Sequence, residues 1–109
     1  MPIANCIIEQ IPSTRGTDIV AEWAKHSGQS ASHMTVNLIT RSEQFGNQYE
    51  VMVNLFLPSL WSKDNVSKLQ IGLARALSHC LQVSLEQVHI VTSIIDSGLV
   101  VENGEVITW

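Results

Sequence analysis

A strand, a helix and a second strand can be read twice in succession along this chain, and that doubling constrains the fold more than any other feature. In the first copy, Ile3 to Gln10 is rich in isoleucine and reads as a buried strand. The stretch 11–16 holds Pro12 and Gly16 and reads as a loop. Thr17 is placed to cap a short helix whose Ile19, Val20, Trp23 and Ala24 share one face, with Asp18, Glu22 and Lys25 opposite and Gly28 ending it. Met34 to Arg41 alternates as a second strand, and the polar segment 42–48 connects onward. The second copy begins with a strand over Tyr49 to Leu57 and a turn at 58–61. Ser62 caps the strongest helix of the sequence, with Val66, Leu69, Leu73, Leu77 and Cys80 at three- and four-residue intervals and Lys68 and Arg75 on the other side. Val88 to Ile95 is the fourth strand. The stretches 30–36 and 84–90 are alike as helix-to-strand turns. Finally, Asn103-Gly104 between short apolar runs predicts a hairpin.

Parallel strands joined through a helix cross over right-handed, so each copy makes a β-α-β unit with its helix on one face. Two units side by side give an α/β (α+β) domain: a four-stranded mixed sheet, two helices on one face, and a carboxy-terminal hairpin. The expected organisation is a single domain over 1–109, with the first unit at 1–41, the second at 49–95 and the hairpin at 99–109. If Val36, Leu38, Val51, Val53 and Leu55 face the helices, the opposite phase carries Thr35, Asn37, Met52, Asn54 and Phe56, with Asn5 beside Ile3 and Ile7. That face is too apolar for water and too polar for a core. A subunit interface partly lined by amides fits it, so a homo-oligomer is expected.

Composition narrows the function. Only 15% of the 109 residues are charged, and the formal net charge is −4. No Lys/Arg cluster is available to track a phosphate backbone, so nucleic acid is not an expected partner. No apolar stretch nears the roughly 20 residues that span a bilayer. The first residues lack the basic flank and apolar core of a signal peptide, and a cytoplasmic location is expected. Cys6 and Cys80 read as free thiols on a strand and a helix, not as a disulfide. His26, His33, His79 and His89 lack zinc-site spacing, so neither a metal nor another cofactor is expected.

Met1-Pro2-Ile3-Ala4 running straight into the first strand, the doubled β-α-β order, the length, and the segment 66–95 together resemble the tautomerase superfamily. That group includes 4-oxalocrotonate tautomerase and macrophage migration inhibitory factor. The resemblance implies a trimer whose sheets form a central barrel, and Pro2 as the catalytic residue once Met1 is removed. An α-amine ordinarily titrates at about 7.7–8.0 and is lowered further by burial. Such an amine can move a proton beside a carbonyl, giving keto–enol or allylic isomerisation of a small-molecule substrate. With Met1 attached, the Pro2 nitrogen is an amide and cannot act as a base.

Topology brings 28–33 beside Pro2. If the third strand runs antiparallel to the first, 58–62 comes close as well. Trp61 would then supply an apolar wall, and the free amides at Ser62 and Lys63 would hold a substrate carboxylate. The Lys63 side chain is open to binding or to a solvated role. Arg15 loosely matches a substrate-binding arginine of 4-oxalocrotonate tautomerase, and a solvated loop role is equally open to it. His33 and His89 each begin a strand. The His89 position resembles a pocket tyrosine that macrophage migration inhibitory factor receives from a neighbouring subunit. Trp109 and the hairpin can reach a neighbour's pocket or act as a clasp, and Glu102 or Glu105 would activate water in a hydratase.

The sequence also departs from the family pattern. Gln29 stands where macrophage migration inhibitory factor has a lysine. Thr35 or His89 stands where 4-oxalocrotonate tautomerase has a second arginine, and the arginine pair of cis-3-chloroacrylic acid dehalogenase has no counterpart near Trp61. A monoacid or neutral enol is therefore expected rather than a dianion. Three functions follow: a proline-based tautomerase, a Pro2-dependent hydratase or dehalogenase-like lyase, and a non-catalytic oligomer that binds a partner or apolar ligand.

Overall fold

A computed structural model describes residues 1–9 and 18–109. Strand β1 (Ile3–Ile8), helix α1 (Ile19–Ser27) and strand β2 (Thr35–Thr40) form the first unit; β3 (Val51–Pro58), α2 (Lys63–Leu81) and β4 (Val88–Ile95) form the second. Strands β5 (Val100–Glu102) and β6 (Glu105–Ile107) make the hairpin. β1 pairs in parallel with β2, β3 in parallel with β4, and β1 antiparallel with β3, so the sheet order is β2-β1-β3-β4. The starts of β1 and β2 and the ends of β3 and β4 therefore meet at one end of the sheet.

Period-two burial explains the strands. Ala4, Cys6 and Ile8 of β1 and Val51, Val53, Leu55 and Leu57 of β3 point into one core, where Trp23 of α1 and Leu69, Leu73, Ala76 and Leu77 of α2 meet them. Each fully buried leucine there contributes roughly 1.5–3 kcal/mol. The helices are antiparallel and cross closely, because Gly72 presents no Cβ to the backbone of Ser27. The Trp23 indole donates from Nε1 to the Leu69 carbonyl at 2.9 Å, so its one polar atom is satisfied within the core.

The opposite face is left open. Ile3, Asn5, Ile7, Met52 and Phe56 are half-buried on it, and Thr35, Asn37, Ile39, Asn54 and Val91 are exposed. Asn37, Asn5 and Asn54 stand in one row across three strands, and Asn37 Nδ2 donates to Asn5 Oδ1 at 2.8 Å. The expected phase of the first three strands holds.

Local signals hold with corrections. Asp18, not Thr17, is the N-cap of α1: its carboxylate accepts from the amides of Val20 and Ala21, while Thr17 lies outside the described residues. Asp18 has the extended backbone of a cap and sits directly before the first helical residue, so its carboxylate reaches the first free amides. Gly28 ends α1 at φ 73°, as expected. The described part of the first strand ends at Ile8 rather than Gln10, the second strand covers Thr35–Thr40, and the third begins at Val51 rather than Tyr49. The segments 30–36 and 84–90 match in structure too, each carrying a single 3-10 turn, Ala31–His33 and Leu85–Gln87, that delivers the chain into its strand. Cys6 is buried and Cys80 half-buried, both as free thiols. Among the described residues no helix is long and apolar enough to cross a membrane.

Candidate active site at the start of the first strand

Pro2 is buried at the mouth of β1. Its carbonyl accepts from the Thr35 amide at 3.0 Å, which ties the residue to the start of β2. A cleft of about 320 Å³ opens beside Met1. Its walls are Ile3, Ser32, His33, Met34 and Thr35 on one side and Val100, Val101 and Glu102 of the hairpin on the other. The 3-10 turn after Ser30 places His33 there: the Ser30 hydroxyl accepts from the Ser32 amide, and the Met34 amide returns to the Ala31 carbonyl. The described lining thus offers one imidazole, one carboxylate and small hydroxyls beside a few apolar side chains.

The remaining candidates are distributed elsewhere. Trp61 and Lys63 line a second cleft, of about 360 Å³, with Pro58, Val66 and Ile94, and it shares no lining residue with the first. The antiparallel β1/β3 pairing brings Pro58 to the same end of the sheet as Met1, but β3 separates the two hollows. Ser62 is the N-cap of α2, with Oγ accepting from the Asn65 amide at 3.2 Å. The amides of Lys63 and Asp64 are left without helical acceptors, as in any first turn. His89 lies four rows down the sheet from Ile3 and two strands across, paired with Met52 and through it with Ile7, about 16 Å away within one chain at the usual strand rise and spacing. Its ring stacks on Tyr49 with centroids 4.6 Å apart. Arg15 lies outside the described residues.

Trp109 is held by its own chain. Its backbone amide donates to Ser97 Oγ at 2.8 Å and its indole to Ser59 Oγ at 3.0 Å. The hairpin is thereby strapped over the Pro2 end of the sheet, and it is this strap that brings Glu102 into the first cleft. A sequence signal for that placement exists. Only four residues, 96–99, separate β4 from β5, so the hairpin has to stay at the end where β4 finishes.

Comparison with solved structures agrees with this architecture. A fused 4-OT solved as an asymmetric trimer superposes with a TM-score of 0.78 at 14% identity, over 96% of this chain and 95% of that one. A member of the cis-3-chloroacrylic acid dehalogenase family gives 0.78 at 13% identity, over 97% and 83%. A macrophage migration inhibitory factor homologue from Prochlorococcus marinus gives 0.69 at 12%, over 97% and 99%. No family model and no curated protein matches the sequence. At such identities the likeness defines the fold: this chain has the fold of the tautomerase superfamily.

Proposed function

We propose that the protein is a cofactor-independent tautomerase in which Pro2, freed by removal of Met1, is the general base. The observation that carries this reading is the position of Pro2: buried, tied to β2 through its carbonyl, and set between Met1 and Ile3, which both line the cleft. In this reading, loss of Met1 leaves a secondary amine at the edge of that cleft. It takes a proton from the carbon beside a carbonyl and returns it to the enolate at another atom, with no net change in atoms or charge. His33, which lines the same cleft, is the candidate to donate to the enolate oxygen. Because the described lining contains neither Lys nor Arg, a monoacid or a neutral enol suits the cleft better than a dianion. Arg15, Trp61, Ser62 and Lys63 enter this proposal only as candidates for holding the distal part of a longer substrate, and His89 only as a contribution from a neighbouring subunit. Assembly as a homotrimer through the open sheet face is part of the same proposal. The fused 4-OT neighbour is described as a trimer.

Mass spectrometry of protein from its native host is expected to show Met1 absent, and Pro2→Ala is expected to lose turnover of phenylpyruvate, a monoacid, by about a hundredfold or more. Retained Met1 on native protein, or full activity in Pro2→Ala, would remove Pro2 as the base and leave the fold serving a non-catalytic oligomer.

A second reading is favoured by Glu102, which lies in the same cleft. In it, Glu102 takes a proton from water, the hydroxyl adds to the chlorine-bearing carbon of an activated double bond, and the protonated Pro2 supplies the proton to the adjacent carbon. The resulting geminal chlorohydrin collapses to an aldehyde as its carbon–chlorine bond breaks, releasing chloride and the hydroxyl proton. Chloride release from cis-3-chloroacrylate, abolished in both Pro2→Ala and Glu102→Gln, is the expected result. Turnover of phenylpyruvate without chloride release would favour the tautomerase.

A further inference from the structure

The chain carries 10 acidic residues against six Lys and Arg, and cations are scarce on its surface. Yet Lys25 and His26 of α1 and Arg75 and His79 of α2 converge on one hollow of about 510 Å³ between the outer faces of the two helices. This hollow lies on the helix layer, away from both the open sheet face and the Pro2 cleft. Assembly through the sheet would leave it accessible.

Neither Lys25 nor Arg75 is needed by the fold, since both are exposed. Among the described residues neither takes part in an ion pair, and the one carboxylate in the hollow, Glu22, is engaged by His26 at 3.4 Å. Placement in the last turn of a helix accounts for Lys25, His26 and His79 singly, because cations suit that end of the helix dipole. It does not account for Arg75, nor for the four meeting in one concavity. Two unpaired like charges, Lys25 and Arg75, brought to one hollow raise each other's energy, and an anion relieves both at once. An arginine fork beside a lysine is suited to a doubly charged oxyanion, which it holds with two parallel charge-assisted hydrogen bonds. The volume falls within the range of small-ligand sites. Leu85, about half exposed on one wall, offers an apolar surface to the body of such a ligand.

We propose that this hollow binds a small phosphorylated molecule: the phosphate sits between Lys25 and Arg75, and a short apolar body lies against Leu85. The site is independent of Pro2 and of the chemistry assigned to it. The test is a backbone-amide NMR titration of the whole protein, at fixed ionic strength, with phenyl phosphate and separately with orthophosphate.

Saturable shifts are expected at Lys25, His26, Arg75 and His79, with phenyl phosphate binding more tightly than orthophosphate. In the double variant Lys25→Gln, Arg75→Gln the affinity is expected to fall about tenfold or more, which corresponds to losing about one charge-assisted contact. Lys68→Gln, an exposed change elsewhere on α2, is expected to leave it unchanged. His79→Gln gives an independent loss should the double variant fold poorly. The proposal is overturned by the absence of saturation up to ~10 mM ligand, by equal weakening in Lys68→Gln, or by shifts confined to His33 and Thr35. Orthophosphate binding as tightly as phenyl phosphate would overturn the assignment of an organic body against Leu85.

Discussion

Single atoms decide how the two halves lock together. A Cβ at position 72 would lie 2.8 Å from the Ser27 nitrogen and 3.0 Å from its Cα, both backbone atoms that cannot swing aside. Helix propensity alone would favour alanine over Gly72 by about 1 kcal/mol. Gly72→Ala is nevertheless expected to destabilise, since overpacking costs about 1–3 kcal/mol, read as a lower urea midpoint at unchanged slope. Cys6 gives a second prediction at this scale. Burial pushes its thiol up to about 12 from an ordinary 9.0. The folded state therefore favours the neutral thiol. Its contribution is fully present below pH 9.0 and is lost as the pH rises toward 12, at about 1.4 kcal/mol per pH unit. Denaturation across that window should be less pH-dependent in Cys6→Ala, and native Cys6 should resist alkylation near pH ~8. The sequence made Trp23 readable as a buried residue from its helical spacing. It did not reveal that the indole bonds the Leu69 carbonyl or that Gly72 touches Ser27, because those partners lie on another helix and only the crossing brings them together.

At the scale of elements, chain chemistry was most legible where a single residue type sets the local conformation. Ser62 caps α2 as its position before an apolar stripe implies, and Ser62→Ala is expected to cost ~1 kcal/mol in thermal or urea denaturation. Asn103 and Gly104 both adopt positive φ, 53° and 77°, as a tight hairpin turn demands. In Gly104→Ala the added side chain meets a left-handed backbone and costs roughly 1–2 kcal/mol. That cost should fall on the hairpin: hydrogen exchange of the β5 and β6 amides is expected to quicken while the core amides keep their protection. Equal loss of protection in both would show that the hairpin is not a separate unit. The fourth strand was read to the residue, and the phase of the first three strands was read correctly. Element ends were harder to place where neighbouring residues compete for one task, as Thr17 and Asp18 do for the cap. The site was legible in part. Strand order alone placed 28–33, and with it His33, at the same end of the sheet as Pro2, whereas Pro2 itself was singled out by the resemblance. The separation of Trp61 and Lys63 into another hollow depends on which side of β3 each loop falls, and strand order leaves that open.

At the scale of the whole molecule, the open sheet face is a broad surface that the described residues leave uncovered. Its asparagine row lies between apolar rows, and Ile39 and Val91 are 46% and 51% exposed there. If three copies close over this face, sedimentation should give three times the mass of one chain, and Ile39→Lys should shift the species toward monomer with unchanged helix content in circular dichroism. A wild-type monomer at micromolar concentration would refute the trimer. The strand order has a further consequence. It begins with β2 and finishes with β4, so each copy offers two different rims of unspent hydrogen-bonding capacity. Head-to-tail joining of unlike rims either returns to its starting point as a ring or continues without limit as a fibre. The angle between neighbours, more than the strength of their contact, then separates a discrete particle from a filament. Substitutions that tilt the contact without breaking it are the ones to watch for polymer.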